Sequence, residues 1–101
     1  MGVRLKAKPP IPKLDVHGAH IRRTDLSGTI LHGANFAGAN ATNALFVGAD
    51  FKDAILTETI LVGANLSGAL NLTVEQLAEA IIDETTVLPD YIDRSKLKQL
   101  N

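Results

Sequence analysis

The chain holds 101 residues with a formal charge of −1, 46% hydrophobic residues and no cysteine. That length makes one domain, and charge so near zero argues against a nucleic-acid binder. Disulfides and thiol chemistry are excluded, and no apolar run approaches the eighteen or so residues of a membrane span.

Residues 1–13 are a basic lead-in carrying Arg4, Lys6, Lys8 and Lys13 without an acid. Pro9, Pro10 and Pro12 favour an extended, polyproline-like path, and they stand where a signal peptide would need its apolar region. A solvated segment that lays Ile11 across the following structure is favoured over a basic arm for an acidic partner. With nothing directing export, a cytoplasmic location is expected.

Residues 14–72 repeat with a period of five. Every fifth residue from Ala19 to Ala69 is Ala or Thr, and a mostly large apolar residue follows two positions later. Asp25, Asn35, Asn40, Asp50 and Asn65 stand between the two, and Gly28, Gly33, Gly38, Gly48, Gly63 and Gly68 close the unit. A helical face recurs at three and four residues and a strand face at two, so five fits neither. A short extended piece puts the small and the large residue on one face. Glycine then supplies the backbone angles of a corner. Repeated, this makes a coil whose turns stack as in a β-solenoid.

These units resemble the pentapeptide-repeat family, A-(D/N)-L-x-x, over roughly residues 14–72. The resemblance implies an all-β solenoid, a right-handed, four-sided (quadrilateral) β-helix of about three coils with one pentapeptide per side. It then implies stacks at intervals of twenty residues: Val16/Phe36/Leu56, Ile21/Ala41/Leu61, Leu26/Phe46/Leu66 and Leu31/Phe51/Asn71. The structural core is therefore expected to be Val16, Ile21, Leu26, Leu31, Phe36, Phe46, Phe51, Leu56, Leu61 and Leu66. All three phenylalanines fall in the middle coil beside Ala41, which reads as volume compensation in a narrow interior.

Leu45 and Val47 occupy outward positions on one side, and Ile55, Ile60 and Val62 do so on two adjoining sides of the next coil. Outward β-branched residues suit extended backbone on their own account. Clustered, they also form the candidate interaction surface.

Residues 73–101 form a helical cap and tail. Thr73 and Gln76 have the spacing of a capping box, and Val74, Leu77, Ala78, Ile81 and Ile82 make one apolar helical stripe. That α-helix is expected to lie across the last coil and cover its edge. A short second helix is expected over residues 93–100, with Leu97 and Leu100 facing inward.

No constellation points to catalysis. Ser27, Ser67 and Ser95 lie in no nucleophile-elbow context, and the glycines are spaced for turns instead of cradling phosphate. Asp25, Asp50 and Asp53 read as solvated carboxylates on different coils or edges. His17 and His20 flank one corner while His32 lies on another side, without the convergence that a metal needs. No enzyme activity, cofactor or metal is expected, and neither a nucleic-acid nor a membrane partner.

The expected function is a rigid structural or protein-interaction module with an unknown protein partner. A homodimer has two routes, through a coil end or through the C-terminal helices. The alternative that the resemblance offers is a DNA-mimicking, gyrase-binding, quinolone-resistance-like protein. Such members resemble long acidic rods, whereas here the repeat sets Asp15, Asp25, Asp50, Asp53 and Glu58 against Arg22, Arg23 and Lys52. Short length and weak charge make a poor copy of duplex phosphate density.

Overall fold

A computed structural model describes residues 13–97. The basic lead-in up to Pro12, and Leu100 of the expected second helix, lie outside them.

Each five-residue unit is one side of a coil. The residue after the small one forms a parallel bridge to its equivalent twenty residues on. The first side carries Asp15, Asn35 and Ile55, and the second His20, Asn40 and Ile60. The third carries Asp25, Leu45 and Asn65, and the fourth Ile30, Asp50 and Leu70. The unit then turns: the Phe36 carbonyl accepts from the Ala39 N–H at 2.9 Å, and the other units repeat this bond. The third residue of that turn has positive φ, as a type II turn requires. Glycine takes the position seven times, and Arg23, Asn43, Asp53 and Glu58 take it near φ 60°. At Gly63 an added Cβ would also meet the Asn43 Oδ1, so the Asn43 amide would have to move aside as well.

The polar residue at the bridge position has a local reason. Asn35 Oδ1 accepts from the Ala37 N–H at 2.9 Å, and Asp25, Asn40, Asp50 and Asn65 each accept likewise from the N–H two residues on. These side-chain bonds fix the start of each turn, which is what suits Asn and Asp to such places.

The small and central residues fill the interior. Phe36, Phe46, Phe51, Leu56, Leu61 and Leu66 are fully buried and Leu31 is buried, while Val16, Ile21 and Leu26 of the first coil are half-buried against them. The three phenylalanine rings touch one another, with centroids 5.2–6.2 Å apart. Ala41, on the remaining side of that coil, is fully enclosed. Where threonine replaces the small alanine its hydroxyl is satisfied, as when Thr59 donates to the Phe36 carbonyl at 2.7 Å.

Three expectations for the C-terminal part need correction. Asn71 does not complete the interior stack above Leu31 and Phe51. It takes φ 60° and stays exposed, and Leu72, one residue later, is buried instead. Nor does the apolar stripe make one continuous helix. Helix α1 spans Val74–Glu79, with Thr73 as N-cap in a complete capping box, and stops as Ala80 turns extended. Ala78 is exposed. Ile81 leaves the helix to bridge Ile60, and Val87 bridges Asn65, so the second and third sides gain a further rung. Ile82 is buried. Further on, a single 3₁₀ turn at Arg94–Lys96 stands where the second helix was expected, with Leu97 buried behind it. Among the described residues no helix is long and apolar enough to cross a membrane.

Candidate functional site

The five outward aliphatics do not share one plane. Leu45 and Val47 project from the third side, Ile60 and Val62 from the second, and Ile55 from the first. Leu45, Val47 and Ile55 are exposed, whereas Ile60 and Val62 are half-buried. The structure thus divides the expected surface between sides, and it adds members to three of them, with Ile81 exposed one rung from Ile60 on the second. Val87 is exposed two rungs from Leu45 on the third side. On the fourth side Ile30 is 75% exposed, Leu70 is also exposed, and Tyr91 is exposed in the tail that lies beside it. Ile30 and Leu70 hold the same place in the repeat unit as Leu45 and Ile55, so listing every apolar residue at that place would have found them. Val87 and Tyr91 carry no such signal, because they lie beyond the repeat.

Between Ile30 and Leu70 sits the most heavily bonded surface carboxylate. Asp50 Oδ2 meets His32 Nε2 at 2.7 Å, while Oδ1 accepts from the Asn71 amide at 2.8 Å and the Lys52 N–H at 3.1 Å. The Asn71 and then the His32 hydrogen bonds hold the carboxyl down at about 2, well below 3.8. Asp15 is lowered by its hydrogen bonds to His17, whose Nδ1 lies 2.6 Å away. Asp25, Asp83 and Asp93 are lowered chiefly by hydrogen bonds from Ser27, Thr85 and Ser95. His17 and His32 are therefore engaged on different sides, and Asp53 lies at the corner after Asp50. The described residues contain no group of three or more His, Cys, Asp or Glu side chains placed to share a metal ion.

The Asp50 network yields a signed prediction. A carboxyl lowered in the folded state adds stability above its unfolded pKa and loses it as pH falls through the folded value. Unfolding midpoints in urea are thus expected to drop between about pH 4 and about pH 2. Asp50→Asn, which keeps the Oδ1 acceptor, should flatten the lower part of that limb. An acid limb of unchanged shape in Asp50→Asn would remove the network from the account.

An open cleft lies where the fourth side meets the tail, lined by Lys52, Asp53, Leu70, Asn71, Gln76 and Tyr91 among others. Its polar groups face the fold. The Gln76 amide donates to the Phe51 and Ala54 carbonyls, and the Tyr91 hydroxyl donates to the Ala69 carbonyl at 2.6 Å and accepts from the Leu72 N–H at 3.0 Å. These bonds of Gln76 and Tyr91 fix the tail on the coils. What the molecule offers outward is flat sides with fixed rows of side chains.

Comparison with known proteins agrees with this geometry. The family model for pentapeptide repeats matches residues 15–46 and 34–70, in 8 copies. Among solved structures, the pentapeptide repeat protein Rfr23 from the cyanobacterium Cyanothece 51142 aligns over 76% of this chain and 52% of its own, at 28% identity and a TM-score of 0.66. The chain thus spans about half the length of that relative. HetL from Nostoc, described as involved in heterocyst differentiation regulation, aligns over 77% of this chain and 41% of its own at 29% identity, with a TM-score of 0.36. A Nostoc pentapeptide repeat protein aligns over 84% and 82% at 25% identity, also with a TM-score of 0.36. No curated protein matches the sequence.

Proposed function

The chain belongs to the pentapeptide-repeat family, and from that premise we propose that it acts without catalysis, as a rigid right-handed β-helical scaffold that holds a protein partner on its outward rows. Residues 14–72 supply the scaffold. The tail, residues 73–101, serves as the cap on the last coil, and residues 1–13 lead in to the first.

One observation carries the reading. At the bridge position an Asn or Asp accepts the N–H two residues on, as at Asn35, Asn40 and Asn65. Leu45, Ile55 and Ile60 stand at that same position and cannot make the bond. A hydrogen bond of this kind contributes about 0.5–1.5 kcal/mol net, and an aliphatic side chain left half in water regains only part of it. β-propensity offsets some of the difference. A contact partner that covers these side chains accounts for the remainder. The third side carries Leu45 and Val47 together, with Val87 beyond Asn65, while Ile60 and Val62 on the second side adjoin Ile81 one rung on and Ile55 round the corner.

Leu45→Ser with Val47→Ser should leave the circular dichroism spectrum intact, because both side chains point away from the core. The pair is expected to reduce recovery of a crosslinked partner from the source cells by about tenfold or more, as loss of central interface residues does. Unchanged recovery from this pair, and from Ile55→Ser with Val62→Ser, would sink the surface assignment.

A further inference from the structure

The two ends of the coil stack differ in their hydrogen bonding. At the C-terminal end the tail answers the third coil. The carbonyls of Glu79, Ile81 and Val87 accept from the N–H groups of Glu58, Leu61 and Leu66 at 2.7–2.8 Å, and Ile81 and Val87 donate back to Thr59 and Ala64. The first coil has no such cover among the described residues. In the second coil, Asn35, Asn40, Leu45 and Asp50 each send an N–H to the first coil and accept from it at their carbonyl. Their equivalents Asp15, His20, Asp25 and Ile30 have both groups unpaired on the outer edge, one residue to each side. Beneath this edge Val16, Ile21 and Leu26 on three sides are only half-buried, with Leu31 on the fourth already buried, whereas Phe36, Ala41 and Phe46 one coil further in are fully enclosed.

We propose that this open coil end is an interface for a second copy of the chain, joined end to end across a two-fold axis. Residues that present N–H and carbonyl towards the same neighbour are those that exchange two bonds with an opposite residue in an antiparallel pair. Two copies meeting head to head run antiparallel, so the N–H and carbonyl of each bridge residue can pair with their counterparts, while the carbonyls of His17, Arg22, Ser27 and His32, equivalents of Ala37, Thr42, Val47 and Lys52, stay with water. Over residues 14–33 Asp15 and Asp25 offset Arg22 and Arg23, and Lys13 adds one positive charge beside them. Because the tail already bonds the opposite end, the contact closes at two copies and does not propagate into a fibre. This inference is independent of the outward rows assigned above.

Light scattering of the full chain from about 1 μM to about 1 mM tests it. The mass is expected to rise from one chain to two and no further. His20→Pro with Ile30→Pro removes two of the four free N–H groups and places rings in the gap. Among the described residues no hydrogen bond depends on those N–H groups, and proline is tolerated on an edge whose N–H faces outward. The double variant should keep the wild-type circular dichroism spectrum and associate at least about tenfold more weakly. Should it misfold, amide exchange on the unmodified chain decides: the N–H groups of His20, Asp25 and Ile30 should exchange slowly at high concentration and fast on dilution. A single-chain mass throughout would overturn the proposal, and so would a dimer indifferent to the two prolines. Slow exchange at both concentrations would place the chain's own residues over the edge, and that too would overturn it.

Discussion

Replacing Phe46 by Ala is expected to lower the free energy of unfolding by about 3–5 kcal/mol, the range for deleting a buried aromatic ring. Phe46 is 1% exposed and touches both other rings of its coil, with an edge-to-face contact to Phe36 and a tilted one to Phe51. Those contacts add to the burial of its area. The whole domain should be worth only about 5–15 kcal/mol, so one ring is a large share. Position along the stack decides the comparison. In a solenoid each coil contacts only its neighbours, and the middle coil has two. Leu26, Phe46 and Leu66 lie above one another on the third side, yet Leu26 is half-buried while Leu66 is fully buried. Leu26→Ala should therefore cost less than Leu66→Ala, and each less than Phe46→Ala. Urea unfolding followed by circular dichroism gives the three values. If Leu26→Ala cost as much as Phe46→Ala, the first coil would be covered in solution in a way that the chain alone does not show.

The repeat region was legible because its period leaves so few structures. A small residue, an outward residue and a large residue in fixed order give side, face and corner at once, and the parallel bridges at twenty-residue intervals follow from four such sides. What stood outside the pattern was read less well. The stripe from Val74 to Ile82 has helical spacing, but the edge of the third coil still needed donors and acceptors. Ile81 and Val87 were recruited to supply them, and this long-range pairing overrode local periodicity. The step from Asn71 to Leu72 was hidden for a similar reason. A left-handed Asn71 shifts the interior position by one residue, and its amide then braces Asp50. The fourth-side aliphatics Ile30 and Leu70 were visible in principle and needed only uniform attention to one position of the unit.

Gln76→Leu should destabilise the chain by about 1–3 kcal/mol: the Ala54 carbonyl loses its donor, the Phe51 carbonyl keeps only the Ala54 N–H, and half of a capping box goes. On the first side the second coil's Ala34 carbonyl accepts the Ile55 N–H at 2.8 Å. The third coil's Ala54 carbonyl has no such strand above it, because helix α1 occupies that place. The Gln76 side-chain amide takes over, donating to Ala54 at 3.0 Å and to Phe51 at 2.9 Å. Its Oε1 accepts the Thr73 N–H at 2.8 Å, and its own N–H donates to the Thr73 hydroxyl at 3.0 Å. A local rule and a long-range one therefore act on one residue, and glutamate separates them. The capping box accepts Glu as readily as Gln, but a carboxylate has no N–H and would set negative charge against two carbonyl oxygens. Gln76→Glu should accordingly be at least as destabilised as Gln76→Leu near neutral pH, and should recover part of the loss in acid as the carboxyl gains a proton to donate. Urea unfolding at both pH values reads this directly, with amide exchange at Leu77 reporting whether α1 loosens first. If Gln76→Glu matched the wild type at neutral pH, the cap would suffice without the two carbonyl bonds, and Leu77, Val74 and the bond from the Glu58 N–H to the Glu79 carbonyl would hold α1 on the coils.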